Sequence, residues 1–146
     1  MPDPLLFYTD GSSDKDGYGG WAVVVPGAAD DDHLCGHASD TTNNRMELTA
    51  VLEAMLLAGP APAVIVSDSQ YVRGGLTQWW KGWVRNGWRN ASGKPVANQD
   101  LWQKLLPVYH EGLFEIRWVK GHAGNEWNEV ADKLAGHMRL VARGEA

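Results

Sequence analysis

Cysteine is all but missing. Cys35 is the only one in 146 residues, so no internal disulfide can form; a reducing, cytoplasmic setting is the simpler expectation, with Cys35 a packing residue. Long apolar runs are missing too. Nothing approaches the roughly 20 consecutive apolar residues of a membrane span, and Met1 to Phe7 lacks the basic region and apolar stretch of a secretory signal. Neither thiolates nor a histidine cluster is offered for a soft metal. Basic charge is in deficit, with 13 Lys and Arg against 18 Asp and Glu. As a total, that opposes a polyanionic partner, because neutralising phosphates takes a surplus of Lys and Arg. The distribution points the other way: residues 1 to 68 hold 11 acids and 2 bases, residues 69 to 99 hold 5 bases and no acid, and residues 100 to 146 hold 7 acids and 6 bases.

What is present is ordinary for a globular protein, 44% hydrophobic and 21% charged. The length suits one domain over residues 1–146 that buries about two thirds of the surface its unfolded chain exposes. Leu5 to Thr9 is a β-forming run ending at Asp10-Gly11; Gly17 to Val25 and Leu34 to Ala38 follow as further strands joined by turn-forming residues. From Asn44 the period becomes helical, with Leu48, Val51, Leu52, Met55 and Leu56 on one stripe that Gly59-Pro60 stops. Ala63 to Ser67 is an apolar strand ending at Asp68, with a helix starting within Ser69 to Val72. A Trp- and Gly-rich basic stretch leads to a helix near Gln99 to Tyr109, a strand at Phe114 to Val119, a Gly-bracketed loop around His122 and a last helix striped by Trp127, Val130, Ala131, Leu134, Ala135 and Met138. Hairpins first and strand–helix–strand units afterwards predict an α/β fold, a five-stranded mixed sheet with helices on both faces. Ligands of such sheets sit beyond the carboxyl ends of the parallel strands, where Asp10 and Asp68 fall.

Taken singly, each acid has a structural alternative. Asp10 suits a turn, and Asp68 suits the N-cap of the next helix. Glu47 stands three residues after Asn44, the spacing of a capping box, and Asp132 borders an apolar stripe where a solvated charge is unremarkable.

Five strings nevertheless stand in order over nearly the whole chain: Thr9-Asp10-Gly11-Ser12, Thr41-Thr42-Asn43-Asn44-Arg45-Met46-Glu47-Leu48, Ser67-Asp68-Ser69-Gln70-Tyr71-Val72, Val119-Lys120-Gly121-His122-Ala123-Gly124-Asn125 and Asp132-Lys133-Leu134-Ala135. Together they resemble type 1 ribonuclease H. The resemblance implies a ribonuclease H-like fold and a hydrolase cutting the RNA strand of an RNA–DNA hybrid to 5′-phosphate and 3′-hydroxyl ends. It also implies that Asp10, Glu47, Asp68 and Asp132 hold Mg²⁺, two ions with substrate bound, Mn²⁺ being a possible substitute. Hard cations of this kind want oxygen ligands, which the four acids supply. For His122 the resemblance implies proton transfer or help with product release, a task suited to a loop side chain titrating near neutrality.

By the same resemblance Gly11, Asn43, Asn44 and Gln70 face the RNA strand, whose 2′-hydroxyl both donates and accepts hydrogen bonds, while Thr42 and Asn98 grip a DNA phosphate. Arg73, Lys81, Arg85, Arg89 and Lys94 interleave with Trp79, Trp80, Trp83 and Trp88, a pattern that neutralises phosphates while rings pack on sugars or bases. Residues of about 79–97 resemble the basic protrusion that grips the DNA strand in many family members, with Lys81, Trp83 and Arg85 as contacts; Trp79 and Trp88 read at least as well as core. Two departures stand out: a short Ser13-Asp14-Lys15-Asp16-Gly17 segment replaces a longer Gly/Pro-rich loop, and Asp40 stands where many members place an Arg. The Asp40 charge predicts weaker, more salt-sensitive binding. The expectation is a monomer that engages a hybrid duplex and no membrane. Two other readings remain: a non-catalytic hybrid-binding module, and a related metal-dependent DNA junction nuclease.

Overall fold

The computed structural model of the chain describes residues 3–28, 32–120 and 125–146. Five strands form one sheet: β1 (Leu5–Ser13), β2 (Gly19–Val24), β3 (Leu34–Ala38), β4 (Ala63–Ser67) and β5 (Phe114–Trp118), in the order β3-β2-β1-β4-β5. β1 pairs antiparallel with β2, and β2 with β3, whereas β4 joins β1 in parallel and β5 joins β4 in parallel. The mixed sheet expected from the sequence is therefore observed. No helix among the described residues is long and apolar enough to cross a membrane.

α1 (Asn43–Ala58) packs on one face and α5 (Glu126–Arg143) on the other. Two neighbouring glycines show why. Consecutive strand residues point to opposite faces; a Cβ on Gly19 would lie 2.8 Å from Met46 of α1, and one on Gly20 would lie 2.3 Å from the Ala135 carbonyl of α5. Bare backbone lets both helices press against β2. α4 (Gln99–Glu111) lies beside α1, and the core between them holds Phe7, Leu48, Val51, Met55, Ile65, Val72, Leu105 and the fully buried Trp102.

The sequence expectation differs from the structure in two elements. β1 does not end at Thr9; its antiparallel pairing with β2 carries it through Gly11 and Ser12 to Ser13. The basic Trp-rich stretch is ordered as helix: α2 (Gln70–Gly74), a π-helical turn (Gly75–Trp79) and α3 (Trp80–Arg85) run on without a break. Gly74 and Gly75 make this possible, because a Cβ on either would strike the ring of Trp79 or Trp102.

Candidate active site

The β1–β4 ladder stops at the Tyr8–Val66 pair. Beyond it the Thr9 hydroxyl donates to the Val66 carbonyl at 3.1 Å, and each chain then offers an acid two residues past that pair: Asp10 on β1 and Asp68 just after β4. Glu47 arrives from the second turn of α1. Gly11 permits this approach, since a Cβ there would sit 2.4 Å from the Glu47 amide nitrogen. Carboxylate oxygens of Asp10, Glu47 and Asp68 all lie within 4.8 Å of one another. Asp132, on α5, stands near enough to Asp10 to favour the protonated form of its carboxyl.

The structural alternatives for three of these acids fail on local geometry. The N-cap of α2 is Ser69 and not Asp68; the Ser69 hydroxyl accepts from the Val72 amide at 3.1 Å. The N-cap of α1 is Thr42, which accepts from the Arg45 amide, so Glu47 stands outside any capping box. Asp10 lies within a paired strand and not in a turn; its Oδ1 accepts from the Gly11 amide at 2.9 Å.

The cluster is costly as bare anions. Burial, together with the nearby Asp68 and Asp132, pushes Asp10 from 3.8 up to about 7, even though the Glu47 and Gly11 contacts pull the other way. Glu47 is pushed well above the usual carboxylate range, first by burial and then by Asp10 and Asp68. Its Oε2 is buried without a hydrogen-bond partner among the described residues. An all-oxygen donor set of this size, with one acceptor unmatched, fits a hard divalent cation, which would supply the missing positive charge.

Around the acids, the other sequence candidates divide. Asn43 is held by Ser13, whose amide and hydroxyl donate to its Oδ1 at 2.6 and 2.9 Å. Asn44 and Gln70 are exposed, and Gly11 is half-buried against α1. Thr42 spends its hydroxyl on the cap. Asn98 adopts a left-handed backbone (φ 60°) and donates to the Tyr71 hydroxyl at 3.1 Å while accepting from Arg45 at 3.3 Å. Lys81 and Arg85 are exposed on α3 and line a groove with Trp79, Trp83 and Arg89; a second groove, lined by Gln70, Arg73, Thr77, Gln78 and Trp79, shares Gln78 and Trp79 with it. The indoles are distributed differently from the sequence reading: Trp79 is 42% exposed, whereas Trp83 is half-buried, its ring 5.1 Å from that of Trp102 and 6.0 Å from that of Trp88. His122 lies outside the described residues. Sequence reasoning missed the bidentate Arg45–Asp100 pair, at 3.0 and 2.9 Å, and the Tyr71 hydroxyl that also accepts from Trp102. Arg45 sits inside a quoted motif, which was the available signal.

The RNase H family profile matches residues 2–139. The chain belongs to the RNase H family. A Ribonuclease H of Granulibacter bethesdensis is 49% identical over 135 residues, covering 91% of this chain and 90% of that one. Among solved structures, LC9-RNase H1, described as a type 1 RNase H with the type 2 active-site motif, superposes with a TM-score of 0.77 at 33% identity over 100% of this chain and 75% of that one. The foamy viral protease-reverse transcriptase in complex with RNA/DNA hybrid shares the fold, with a TM-score of 0.75 at 24% identity over 94% of this chain and 20% of that one. As an RNase H the chain is an enzyme, a phosphodiester hydrolase acting on RNA, and it carries an acidic group able to hold a metal.

Proposed function

We propose that the chain cuts the RNA strand of RNA–DNA hybrids by in-line attack of water, leaving 5′-phosphate and 3′-hydroxyl ends, with Asp10, Glu47, Asp68 and Asp132 as ligands of two Mg²⁺, replaceable by Mn²⁺. The observation that carries the reading is the convergence of three carboxylates within 4.8 Å, one with a buried, unmatched oxygen. The chemistry supplied by bound Mg²⁺ is activation of the attacking water and stabilisation of charge at the leaving 3′ oxygen.

The chain's own groups do the rest. Because Ser13 occupies the Asn43 Oδ1, Asn43 offers its Nδ2 as a donor to the RNA strand, where the 2′-hydroxyl oxygen accepts. Gly11, Asn44 and Gln70 complete that side. Thr42, Asn98, Lys81, Trp83 and Arg85 take the DNA strand, and His122 transfers a proton. One domain spans 1–146, with about 79–97 as the gripping protrusion, acting as a cytoplasmic monomer.

The test is incubation with labelled hybrid, double-stranded RNA and double-stranded DNA, first with Mg²⁺ and then with EDTA. The expected result is cleavage confined to the RNA of the hybrid and abolished by EDTA and by Asp10→Asn. Tight hybrid binding without turnover would favour a binding module, and equal attack on double-stranded DNA would favour a junction nuclease; either sinks the proposal.

A further inference from the structure

β1 alternates between the two helices that carry acids. Its odd positions meet α1: Gly11 lies against Met46 and Glu47, and Ser13 donates twice to Asn43. Its even positions meet α5: Asp10 lies on the Asp132 side, and Arg139 donates to the Ser12 hydroxyl at 2.8 Å. The next even position, Asp14, lies just past the strand, and there α5 ends. Arg143 donates to Asp14 Oδ2 at 2.9 Å and to Asp16 Oδ2 at 2.8 Å, lies 5.3 Å from the Tyr18 ring centre, and contacts Glu145 at 3.4 Å; Gly144, at φ 81°, then stops the helix. Positions 132, 139 and 143 share one face of a helix, so these contacts come from a single stripe.

The turn that Arg143 grips is tightly built. Asp14 Oδ1 accepts from the amides of Asp16 and Tyr18 at 2.9 and 3.1 Å, and the Asp14 amide bonds the Tyr18 carbonyl at 2.9 Å. Although burial opposes ionisation of Asp14, the bonds from Arg143, Tyr18 and Asp16 outweigh it and hold its carboxyl below the usual range. A chain of contacts thus runs from the end of α5 through the turn to Ser13, and from Ser13 to the amide of Asn43.

We propose that Arg143 is a positioning residue for the RNA-strand contact: its grip on Asp14 and Asp16 fixes the turn so that Ser13 holds the Asn43 amide with its NH₂ facing the substrate. This rests on the proposed action on a hybrid. The short turn acts as a strut between α5 and α1.

Steady-state cleavage of the hybrid by wild type, Arg143→Gln, Arg143→Lys and Ser13→Ala tests it, alongside amide hydrogen exchange at Ser13 and Asn43. The expected result for Arg143→Gln is a roughly fivefold higher KM with kcat retained, the loss of about one hydrogen bond's worth of binding, together with faster exchange at Ser13. Arg143→Lys should recover most of both, and Ser13→Ala should reproduce the KM change. An unchanged KM and unchanged Ser13 exchange in Arg143→Gln would overturn the inference, as would a fall in kcat that Arg143→Lys does not rescue. A wild type that leaves the hybrid intact overturns the functional proposal, and the Ser13 exchange rates then still decide whether Arg143 holds the strut.

Discussion

Asp10 and Glu47 share a small buried volume, and the strain of placing two carboxylates there is written into their protonation. For an acid whose proton is held up to about pH 7 against an ordinary 3.8, the folded protein binds more protons than the unfolded chain between those limits, so stability falls as pH rises through that window. The melting temperature of the metal-free protein should therefore drop from about pH 4 to pH 7 and level off above, and Mg²⁺ should raise it most at the alkaline end. Asp10→Asn should flatten the profile and stabilise the metal-free protein at pH 8 by up to about 4 kcal/mol while abolishing cleavage; a variant as pH-sensitive as wild type would contradict this account. Gly11 makes a complementary case. A methyl group there meets backbone of α1 at 2.4 Å, which no rotamer change relieves, so Gly11→Ala should cost on the order of 3 kcal/mol in denaturant unfolding and displace Glu47 enough to remove activity.

At the scale of elements, α1 and α4 are joined by the Arg45–Asp100 pair, which holds Asp100 down to about 2 through the Arg45 hydrogen bonds. With Asp100 59% exposed, breaking the pair should lower stability by less than about 1 kcal/mol. Its larger effect falls on Asn98, which Arg45 steadies from the other side: Asp100→Asn should raise KM for the hybrid with kcat retained, readable in the same kinetic assay. These cross-helix ties were illegible in the sequence, because residues 45 and 100 have no local relation that spacing could reveal. The helices themselves were legible from their stripes. The end of β1 was not, since Gly11, Ser12 and Ser13 carry no strand preference of their own and are held by pairing with Gly19 to Trp21. The Trp segment misled for a similar reason: which indole is covered depends on Trp102, far along the chain, and not on the helical period. Asp40 sits at φ 51°, a conformation that Asn tolerates and Arg does not favour, so Asp40→Asn is the cleaner removal of its charge and should tighten hybrid binding most at low salt, where the repulsion is least screened.

Over the whole molecule, charge is partitioned. Residues 1 to 68 carry 11 of the 18 acids, while the stretch from Ser69 to Gln99 carries five bases and no acid. The four acids could be singled out in the sequence because they sit inside the strings that resemble ribonuclease H, yet only the fold explains why residues 10, 47 and 68 are neighbours. A net charge of -5 means that binding depends on that one segment, so hybrid affinity should fall steeply with salt, and Lys81→Gln with Arg85→Gln together should reduce the slope of log affinity against log salt by about 2. A slope indifferent to both would place the grip elsewhere.

The open end of the β1–β4 ladder also sets a reading frame. Strand pairing is counted from Leu5 opposite Ala63, far from the acids, and the two aspartates face each other only because both strands run the same number of residues before parting. A single residue inserted within Ala63–Ser67 would send Asp68 to the other face of the sheet, whereas the same insertion in the turn at 59–62 leaves the count untouched. Tolerance to insertion should thus change abruptly across Ala63, at the far edge of the protein from the chemistry it protects.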